Sequence, residues 1–317
     1  MSSQSRNFRK ALKSDKWLLL LGIVLAVILA VLVRSQRTPP RVGRPSTEPS
    51  ISVYFHETGE VRTMPLETYI EGVVAAEMDP NWPLAALESQ AIVARTFTVK
   101  KMQEGLIPGR GTQASTDPKE FQAYDATKVN DRVRQAVRNT RGQVITYAGK
   151  PINAWFHASS GGKTASAVEG LGFQKESAPY AVPVTDVQQD PIHVWRQTFS
   201  ASEIIQAARS LGVSVDSLNS IQIGRKGASG RAETIVINGR EVSAPAFRLA
   251  VGETKMRSTL IDELRLEGNR VFMKGRGFGH GVGMSQWGAW LLAQRGKSSR
   301  DIISYYFKGV RIENFWH

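Results

Sequence analysis

The chain has 317 residues, a net charge of +13 and no cysteine. This length exceeds that of one typical domain, and the lack of cysteine excludes disulfide staples and thiolate metal ligands. Seven of the thirteen net positive charges belong to the first 48 residues. The rest of the chain therefore lacks the strong basic excess of a nucleic-acid-binding domain, and we predict no nucleic-acid partner.

The N-terminal region carries an apolar run at residues 17–33, WLLLLGIVLAVILAVLV. The run is at the short end of what spans a bilayer, and no small-residue cleavage site follows it. We therefore predict an uncleaved transmembrane anchor, with residues 1–16 as a basic cytoplasmic tail and the Pro-rich residues 34–50 as a stalk. Because basic residues lie on both sides of the apolar run, charge alone does not decide the orientation of the anchor in the membrane. The short tail favours a single-pass protein of the cell membrane whose domain, residues 51–312, lies outside the cytoplasm.

The first globular elements follow the stalk. Alternation predicts a strand over 51–55 and a second short strand after a turn at Thr58-Gly59. Apolar periodicity then predicts a helix over 66–78. A proline-rich turn separates it from a second helix over about 84–104.

The remaining pattern predicts mixed structure. We expect strands near 144–147 and 152–158, and a smaller α+β subdomain over 199–273. That subdomain has a helix near 201–211 and a hairpin turn at Asn238-Gly239. Helices are expected from Ser285 to Gly296 and from about Arg300 to Phe307. The predicted fold class is α+β: a mixed helix and short-strand domain with a smaller inserted subdomain, preceded by one transmembrane helix.

One glutamate lies on the apolar side of the first helix. On a helical wheel Leu66, Ile70 and Val73 share one side, and Glu77 falls in its middle. Burying a charged carboxylate there is costly. Two interpretations remain open: a core glutamate paired with an arginine, or a carboxyl whose pKa is raised so that it can donate a proton near neutral pH.

The second helix repeats this pattern. Leu84, Glu88, Ala91 and Arg95 share a face, which makes Glu88 and Arg95 a second candidate pair of buried charges. They could satisfy each other, or Arg95 could reach Glu77 or an anionic group of a substrate.

Two glycine-containing segments remain, HASSGGKTAS from His157 and GRGFGHGVGMSQWGAW from Gly275. Neither matches a phosphate-binding loop, a nucleophile elbow or a dinucleotide fingerprint, because each motif lacks a required glycine. The five histidines are scattered along the chain. We therefore predict no metal site and no cofactor.

Several blocks of the sequence resemble one family. They are MPLETYIEGVVAAEM from Met64, ALESQAIVARTF from Ala86, INAWFHASSGGKT from Ile152, GRGFGHGVGMSQWGAWLLAQRGKS from Gly275, and IISYYFKGV from Ile302. In this order, across nearly the whole domain, they resemble the stage II sporulation protein D (SpoIID/LytB-type) family.

The resemblance implies a membrane-anchored lytic transglycosylase that cleaves peptidoglycan glycan strands during forespore engulfment. It implies substrate strands stripped of stem peptides by a partner amidase, within a membrane-tethered complex, and it assigns the catalytic acid to Glu77. Some relatives carry a zinc cluster in the segment corresponding roughly to residues 112–124. Here that segment has neither histidine nor cysteine, so no such zinc is expected.

The resemblance also suggests a glycan groove beside the glycine stretch. The glycines would either let a sugar chain approach the backbone or let the loop pack tightly beneath the helix of Glu77. The expected substrate-binding residues are Arg95, Ser159, Ser160, Lys163, His280, Ser285, Gln286 and Trp287, the last as a stacking face. The alternative function is a non-catalytic wall-binding protein or amidase activator of the engulfment complex.

Overall fold

A computed structural model describes residues 47–187 and 193–316. The predicted anchor at 17–33 and most of the predicted stalk lie outside these residues. Within them, no helix is long and apolar enough to cross a membrane. The domain begins slightly before residue 51, because Glu48 pairs with Arg141 at 2.5 Å and also accepts the backbone N–H of Glu67 at 2.9 Å.

The described residues form a mixed α/β structure with eight α-helices. The helices are α1 (Leu66–Glu77), α2 (Leu84–Glu104), α3 (Asp131–Asn139), α4 (Ala167–Leu171), α5 (Ala201–Ser210), α6 (Ala244–Val251), α7 (Gln286–Gln294) and α8 (Ser299–Tyr306). The strands are short and belong to five small sheets. They are β1 (Ser50–Phe55), β2 (Glu60–Pro65), β3 (Ala114–Ser115), β4 (Gln143–Tyr147), β5 (Lys150–Pro151), β6 (Phe156–His157), β7 (Val194–Ser200), β8 (Ile221–Ile223), β9 (Thr234–Ile237), β10 (Arg240–Ser243), β11 (Ile261–Glu267), β12 (Arg270–Arg276), β13 (Met284–Ser285) and β14 (Arg311–Asn314).

Helix α2 is at the centre of the larger hydrophobic core. It contacts α1, α3, β4, α7 and α8, and apolar residues around most of its circumference, such as Leu87, Ile92 and Val93, are fully buried. A helix that is apolar nearly all round is typical of such a central position. Its packing brings the end of α1 and the start of α7 to one side of the domain.

A second hydrophobic core is built from residues between Trp195 and Met273. It is covered by the antiparallel sheet β11-β12-β7 and by the hairpin β9-β10, which turns at Asn238-Gly239. Asn238 and Gly239 both have positive φ, 47° and 78°, as the favoured two-residue hairpin turn requires. This part of the chain also contains α5 and α6.

The predicted strand over 152–158 differs from the observed structure. Within this range only β6 is a strand, and residues 152–155, which follow β5, form no ladder. Strand β6 pairs in parallel with β13, through Met284 opposite Phe156 and Ser285 opposite His157. The two glycine-containing segments of the sequence therefore lie side by side.

Candidate active site

Glu77 is the last residue of α1 and is partly exposed. One carboxylate oxygen, Oε1, accepts the backbone N–H of Ala123 at 3.0 Å. Burial raises the pKa of the carboxyl to about 7, although the hydrogen bonds from Ala123 and from the Gln286 side chain lower it. The effect of burial on the pKa is larger than that of the two hydrogen bonds. A large fraction of Glu77 is therefore protonated near neutral pH, as a general acid requires.

The segment that supplies Ala123 is held against α1 by Tyr124. The Tyr124 ring stacks on Tyr69, with centroids 5.6 Å apart and planes 9° from parallel. It also occupies the space that a Cβ at Gly72 would need. The next residue, Asp125, donates its backbone N–H to the Gly72 carbonyl at 3.0 Å. The glycine inside α1 was the sequence signal for this close approach, which the sequence analysis missed.

Gln286 connects the glycine-rich segment to Glu77. Its Nε2 donates to the backbone carbonyl of Glu77 at 3.0 Å, and its side chain is largely buried. The last carbonyls of a helix have no intrahelical partner, so this bond satisfies one of them at the end of α1. Gln286, which was predicted to bind substrate, thus contacts Glu77 itself, and this contact holds α7 beside the carboxyl.

Three tryptophans lie next to this contact, and we call them the tryptophan cluster: Trp82, Trp287 and Trp290. The Trp287 ring is 4.9 Å from that of Trp82 and 5.7 Å from that of Trp290. All three are partly exposed, and the His193 ring lies 5.5 Å from Trp287. Partly exposed aromatic faces beside an acid are suited to stacking against sugar rings. The predicted Trp287 therefore belongs to a larger aromatic surface than the sequence indicated.

The predicted serine contacts are wrong for Ser160 and Ser285, because both are fully buried. The Ser160 hydroxyl donates to Asp186 at 2.6 Å, and Asp186 also accepts the Tyr306 hydroxyl at 2.7 Å. Ser285 accepts the backbone N–H of Gly288 at 3.2 Å and caps α7. Ser159 is buried as well, with its backbone bridged to Phe278. Of the three, Ser159 and Ser285 pair through their backbones with the opposite glycine-containing segment, at Phe278 and His157.

Lys163 and His280 are partly exposed, and both make internal contacts. Lys163 Nζ donates to the Ala228 carbonyl at 2.8 Å. His280 Nδ1 accepts the backbone N–H of Val282 at 3.0 Å. Burial and the nearby arginines lower the pKa of His280 to about 3, so its imidazole is neutral at physiological pH and does not act as a cation toward a substrate.

The predicted role of Arg95 is also wrong. Its side chain is fully buried and pairs with Glu67, with Nη2 and Oε2 2.6 Å apart. Glu67 also accepts from the Gly142 N–H at 2.9 Å and from Trp316 Nε1 at 3.0 Å. Glu88 instead accepts from Asn139 at 2.8 Å. Arg95 therefore reaches neither Glu77 nor a substrate, and it forms part of the core.

The glycine-rich segment packs against protein rather than leaving an open backbone. A Cβ at any of its six glycines would come closer than normal contact to another part of the chain. These glycines are Gly275, Gly277, Gly279, Gly281, Gly283 and Gly288. Their neighbours include the backbone of Trp155 and Ser159 and the side chain of Arg231. The packing interpretation thus accounts for the glycines, and the partner of Gly277, Gly279 and Gly283 is the segment around β6.

Substituting Gly283 by alanine tests this packing. Gly283 has φ of +72°, and its Cβ would meet the Trp155 carbonyl. We expect Gly283→Ala to lower the free energy of unfolding by about 3 kcal/mol, from overpacking and from the left-handed backbone together. Gly296 has a similar φ of +76° with open space around it, so Gly296→Ala should cost only about 1 kcal/mol. Equal losses for the two variants in urea titrations would contradict close packing.

The sequence of the chain is similar to those of known proteins. A family model described as "Stage II sporulation protein" matches residues 54–147, which include α1, α2 and Ala123. Stage II sporulation protein D of Bacillus amyloliquefaciens is 33% identical over 280 residues, covering 83% of this chain and 78% of the relative. The chain belongs to the stage II sporulation protein D family.

Two further relatives are similar to this chain. Stage II sporulation protein D of Bacillus subtilis (strain 168) is 32% identical, with the same coverage of both chains. A protein of Bacillus subtilis named "Amidase enhancer" is 27% identical and matches 78% of this chain but only 40% of its own length. The names of these relatives refer to sporulation and, in one case, to the enhancement of an amidase.

Proposed function

We propose that this protein is a lytic transglycosylase that cleaves the bond between N-acetylmuramic acid (MurNAc) and N-acetylglucosamine (GlcNAc) in peptide-stripped peptidoglycan strands. The observation that supports this most is the single carboxyl at the end of α1, whose pKa burial raises to about 7 beside the tryptophan cluster. Two-carboxylate hydrolases need a second acid across the bond, whereas in this reaction the C6 hydroxyl of the sugar is the nucleophile and one carboxyl is enough.

A single carboxyl can perform both proton transfers of this reaction. Protonated Glu77 gives its proton to the glycosidic oxygen as the bond from C1 of MurNAc breaks. The resulting carboxylate then takes the proton of the C6 hydroxyl of the same sugar, and O6 bonds to C1. The products are a 1,6-anhydroMurNAc end and a free GlcNAc hydroxyl, and Glu77 regains its proton without water being consumed.

The surroundings fit this role. The Ala123 N–H holds one carboxylate oxygen in place, and Gln286 ties the end of α1 to α7. The tryptophan cluster would orient the sugar rings.

In the cell we propose a single-pass membrane protein whose domain faces the septal space of a sporulating bacterium. Its partners would be an amidase or endopeptidase and a membrane scaffold of the engulfment complex.

A second candidate function has one specific support. The relative named "Amidase enhancer" shares 27% identity with this chain, so a non-catalytic, wall-binding activator of an amidase is the alternative. An activator would need the glycan-binding surface and not the proton of Glu77.

Product analysis distinguishes the two functions. Peptide-free glycan strands are incubated with the full chain, its Glu77→Gln variant and a Glu71→Gln control from the same helix, and the products are examined by mass spectrometry. We expect anhydroMurNAc ends from the wild type and from Glu71→Gln, and none from Glu77→Gln. Reducing ends would contradict the transglycosylase. Absence of cleavage, with amidase stimulation retained by Glu77→Gln, would favour the activator.

The pH dependence of cleavage gives a further prediction. Glu77 must start the reaction protonated, and its pKa is about 7. We therefore expect kcat/KM to be constant below that pH and to fall about tenfold per unit above it. Initial rates on peptide-free strands between pH 5 and 9 check this. A profile that falls already above pH 5 would contradict a raised pKa for the catalytic acid.

A further inference from the structure

The backbone N–H that contacts Glu77 comes from a segment without regular secondary structure. Residues 116–125 lie between β3 and a short 3-10 helix at Ala126–Lys128 and belong to no helix or strand. The Ala123 N–H, which donates to Oε1 of Glu77 at 3.0 Å, is therefore not oriented by a helix or a sheet. The methyl side chain of Ala123 has no polar group that could orient it. The direction of this N–H must depend on contacts that the neighbouring residues make.

Gln122, on one side of Ala123, connects the segment to α2. Its side chain is buried, and its Nε2 donates to the Thr98 hydroxyl at 2.9 Å. Glu77, however, belongs to α1. The contact of Gln122 therefore holds the segment on the domain, but it does not by itself set the distance between Ala123 and the carboxyl.

Tyr124, on the other side of Ala123, packs its ring directly on α1. The ring is stacked on Tyr69 and meets the Phe55 ring edge-on, with centroids 5.5 Å apart. It also fills the space beside Gly72 that any larger residue would need. The ring makes these contacts, whereas the hydroxyl only approaches Met64 Sδ at 4.0 Å. The position of Tyr124 on α1 is thus determined by the shape of the ring.

The place of this contact on α1 is close to the carboxyl. Gly72 and Glu77 are five residues apart on the helix, about 7.5 Å along its axis. The Gly72 carbonyl accepts the backbone N–H of Asp125 at 3.0 Å, and Ala123 lies two residues before Asp125. The segment therefore runs along the last turns of α1, from the Tyr124 ring at Gly72 to the Ala123 N–H at Glu77.

We propose that Tyr124 is a positioning residue for the catalytic acid: packed over Gly72, its ring holds the Ala123 N–H on the Glu77 carboxyl. This proposal rests on the proposed transglycosylase, in which Glu77 transfers the protons. The N–H restricts rotation of the carboxyl, so that the carboxyl meets the glycosidic oxygen in one orientation. A displacement of about 1 Å in such a group can lower the rate by about a hundredfold.

The same hydrogen bond gives the proposal a signature that can be measured. It favours the carboxylate over the protonated form, and it therefore lowers the pKa of Glu77 against the larger effect of burial. Loss of the bond should raise this pKa further. A ring that only contributed to stability would leave the pKa unchanged when it was removed.

Tyr124→Ala tests the positioning role in cleavage assays on peptide-free glycan strands. We expect kcat to fall by about 10- to 100-fold, with KM changed by less than about twofold, because the tryptophan cluster is not altered. The fall of kcat/KM at alkaline pH should move up by about one pH unit. Tyr124→Phe retains the ring contacts and should keep kcat within about twofold.

Gly72→Ala tests the same contact from the side of the helix. Gly72 lies inside α1, where alanine is the better helix former, but its methyl group would displace the Tyr124 ring. We expect the same loss of kcat as in Tyr124→Ala. Combining Gly72→Ala with Tyr124→Ala removes the clash, so the melting temperature should recover while kcat stays low. Tyr54→Ala is the matched control, because it removes a ring packed on Arg110 at 4.3 Å, and it should keep kcat.

The pKa of Glu77 is also measured without cleavage. In the full-length protein, labelled with ¹³C at the glutamate carboxyls, the Glu77 signal is the one missing from Glu77→Gln. We expect its NMR titration to give a higher pKa in Tyr124→Ala, and the wild-type value in Tyr124→Phe and Tyr54→Ala.

Two outcomes overturn the proposal. One is a Glu77 pKa in Tyr124→Ala equal to that of the wild type, even if kcat falls, because the ring would then be merely structural. The other is recovery of kcat together with stability when Gly72→Ala and Tyr124→Ala are combined. If the wild type itself yields no anhydroMurNAc ends, the transglycosylase is refuted, and the titration alone decides whether Tyr124 holds the Ala123 N–H on Glu77.

Discussion

Replacing Arg95 by methionine is expected to lower the free energy of unfolding by about 3–5 kcal/mol. The reason is the fully buried pair of Arg95 with Glu67, at 2.6 Å. Without the guanidinium, the Glu67 carboxylate keeps its bonds to the Gly142 N–H and the Trp316 indole, but its charge has no counterion in the core. Removing one partner of a buried pair costs far more than the pair contributes as a whole.

Urea titrations of three variants test this prediction. Arg62→Met is the control, because it removes an exposed pair with Glu60 whose side chains are 54% and 55% accessible. Exposed pairs contribute about 0–1 kcal/mol. The double variant Arg95→Met with Glu67→Gln should regain part of the loss, since the unpaired charge is gone. An Arg95→Met protein that is as stable as Arg62→Met, but binds glycan more weakly, would restore the substrate-binding role.

The helices that carry the site were predictable from local sequence. The predicted bounds of α1 and α2 are nearly those observed. Apolar residues of α1 repeat at helical spacing, whereas α2 is buried on most sides and its start was indicated by the proline-rich turn before it. Apolar periodicity missed α3, where only Val133, Ala136 and Val137 are buried among polar residues. The capping side chain of Asn130, which accepts the Val133 N–H at 3.0 Å, was the available signal for that helix.

The partners of the site residues were not predictable, because they come from distant parts of the chain. The helical wheel identified Glu77 and Arg95 as unusual, but it could not show that Glu67 is the partner of Arg95. Trp316, 249 residues from Glu67 in sequence, completes that network. Similarly, nothing local indicated that Ser160 binds Asp186. One sequence gives the residue types and their local spacing, whereas long-range pairing depends on how the elements pack.

Replacing Glu77 by glutamine is expected to stabilise the protein at alkaline pH even though it removes the proposed acid. The pKa of Glu77 is about 7 in the folded protein, against an ordinary value of 4.5. Between these two values the folded state holds a proton that the unfolded state has released. The free energy of unfolding therefore falls as the pH rises through this window, and the full cost is present by pH 8.

Glutamine has no charge to bury, and its amide oxygen can still accept the Ala123 N–H. We expect the wild type to lose about 2 kcal/mol relative to Glu77→Gln between pH 5 and pH 8. Urea titrations at both pH values measure this difference, with Glu57→Gln, at an exposed carboxyl, as the control. If the difference in the free energy of unfolding between the two proteins is the same at pH 5 and pH 8, Glu77 titrates as an ordinary surface carboxylate and cannot hold its proton at neutral pH. If the wild type loses more free energy of unfolding than Glu77→Gln between pH 5 and pH 8, the site keeps its acid protonated at the expense of stability.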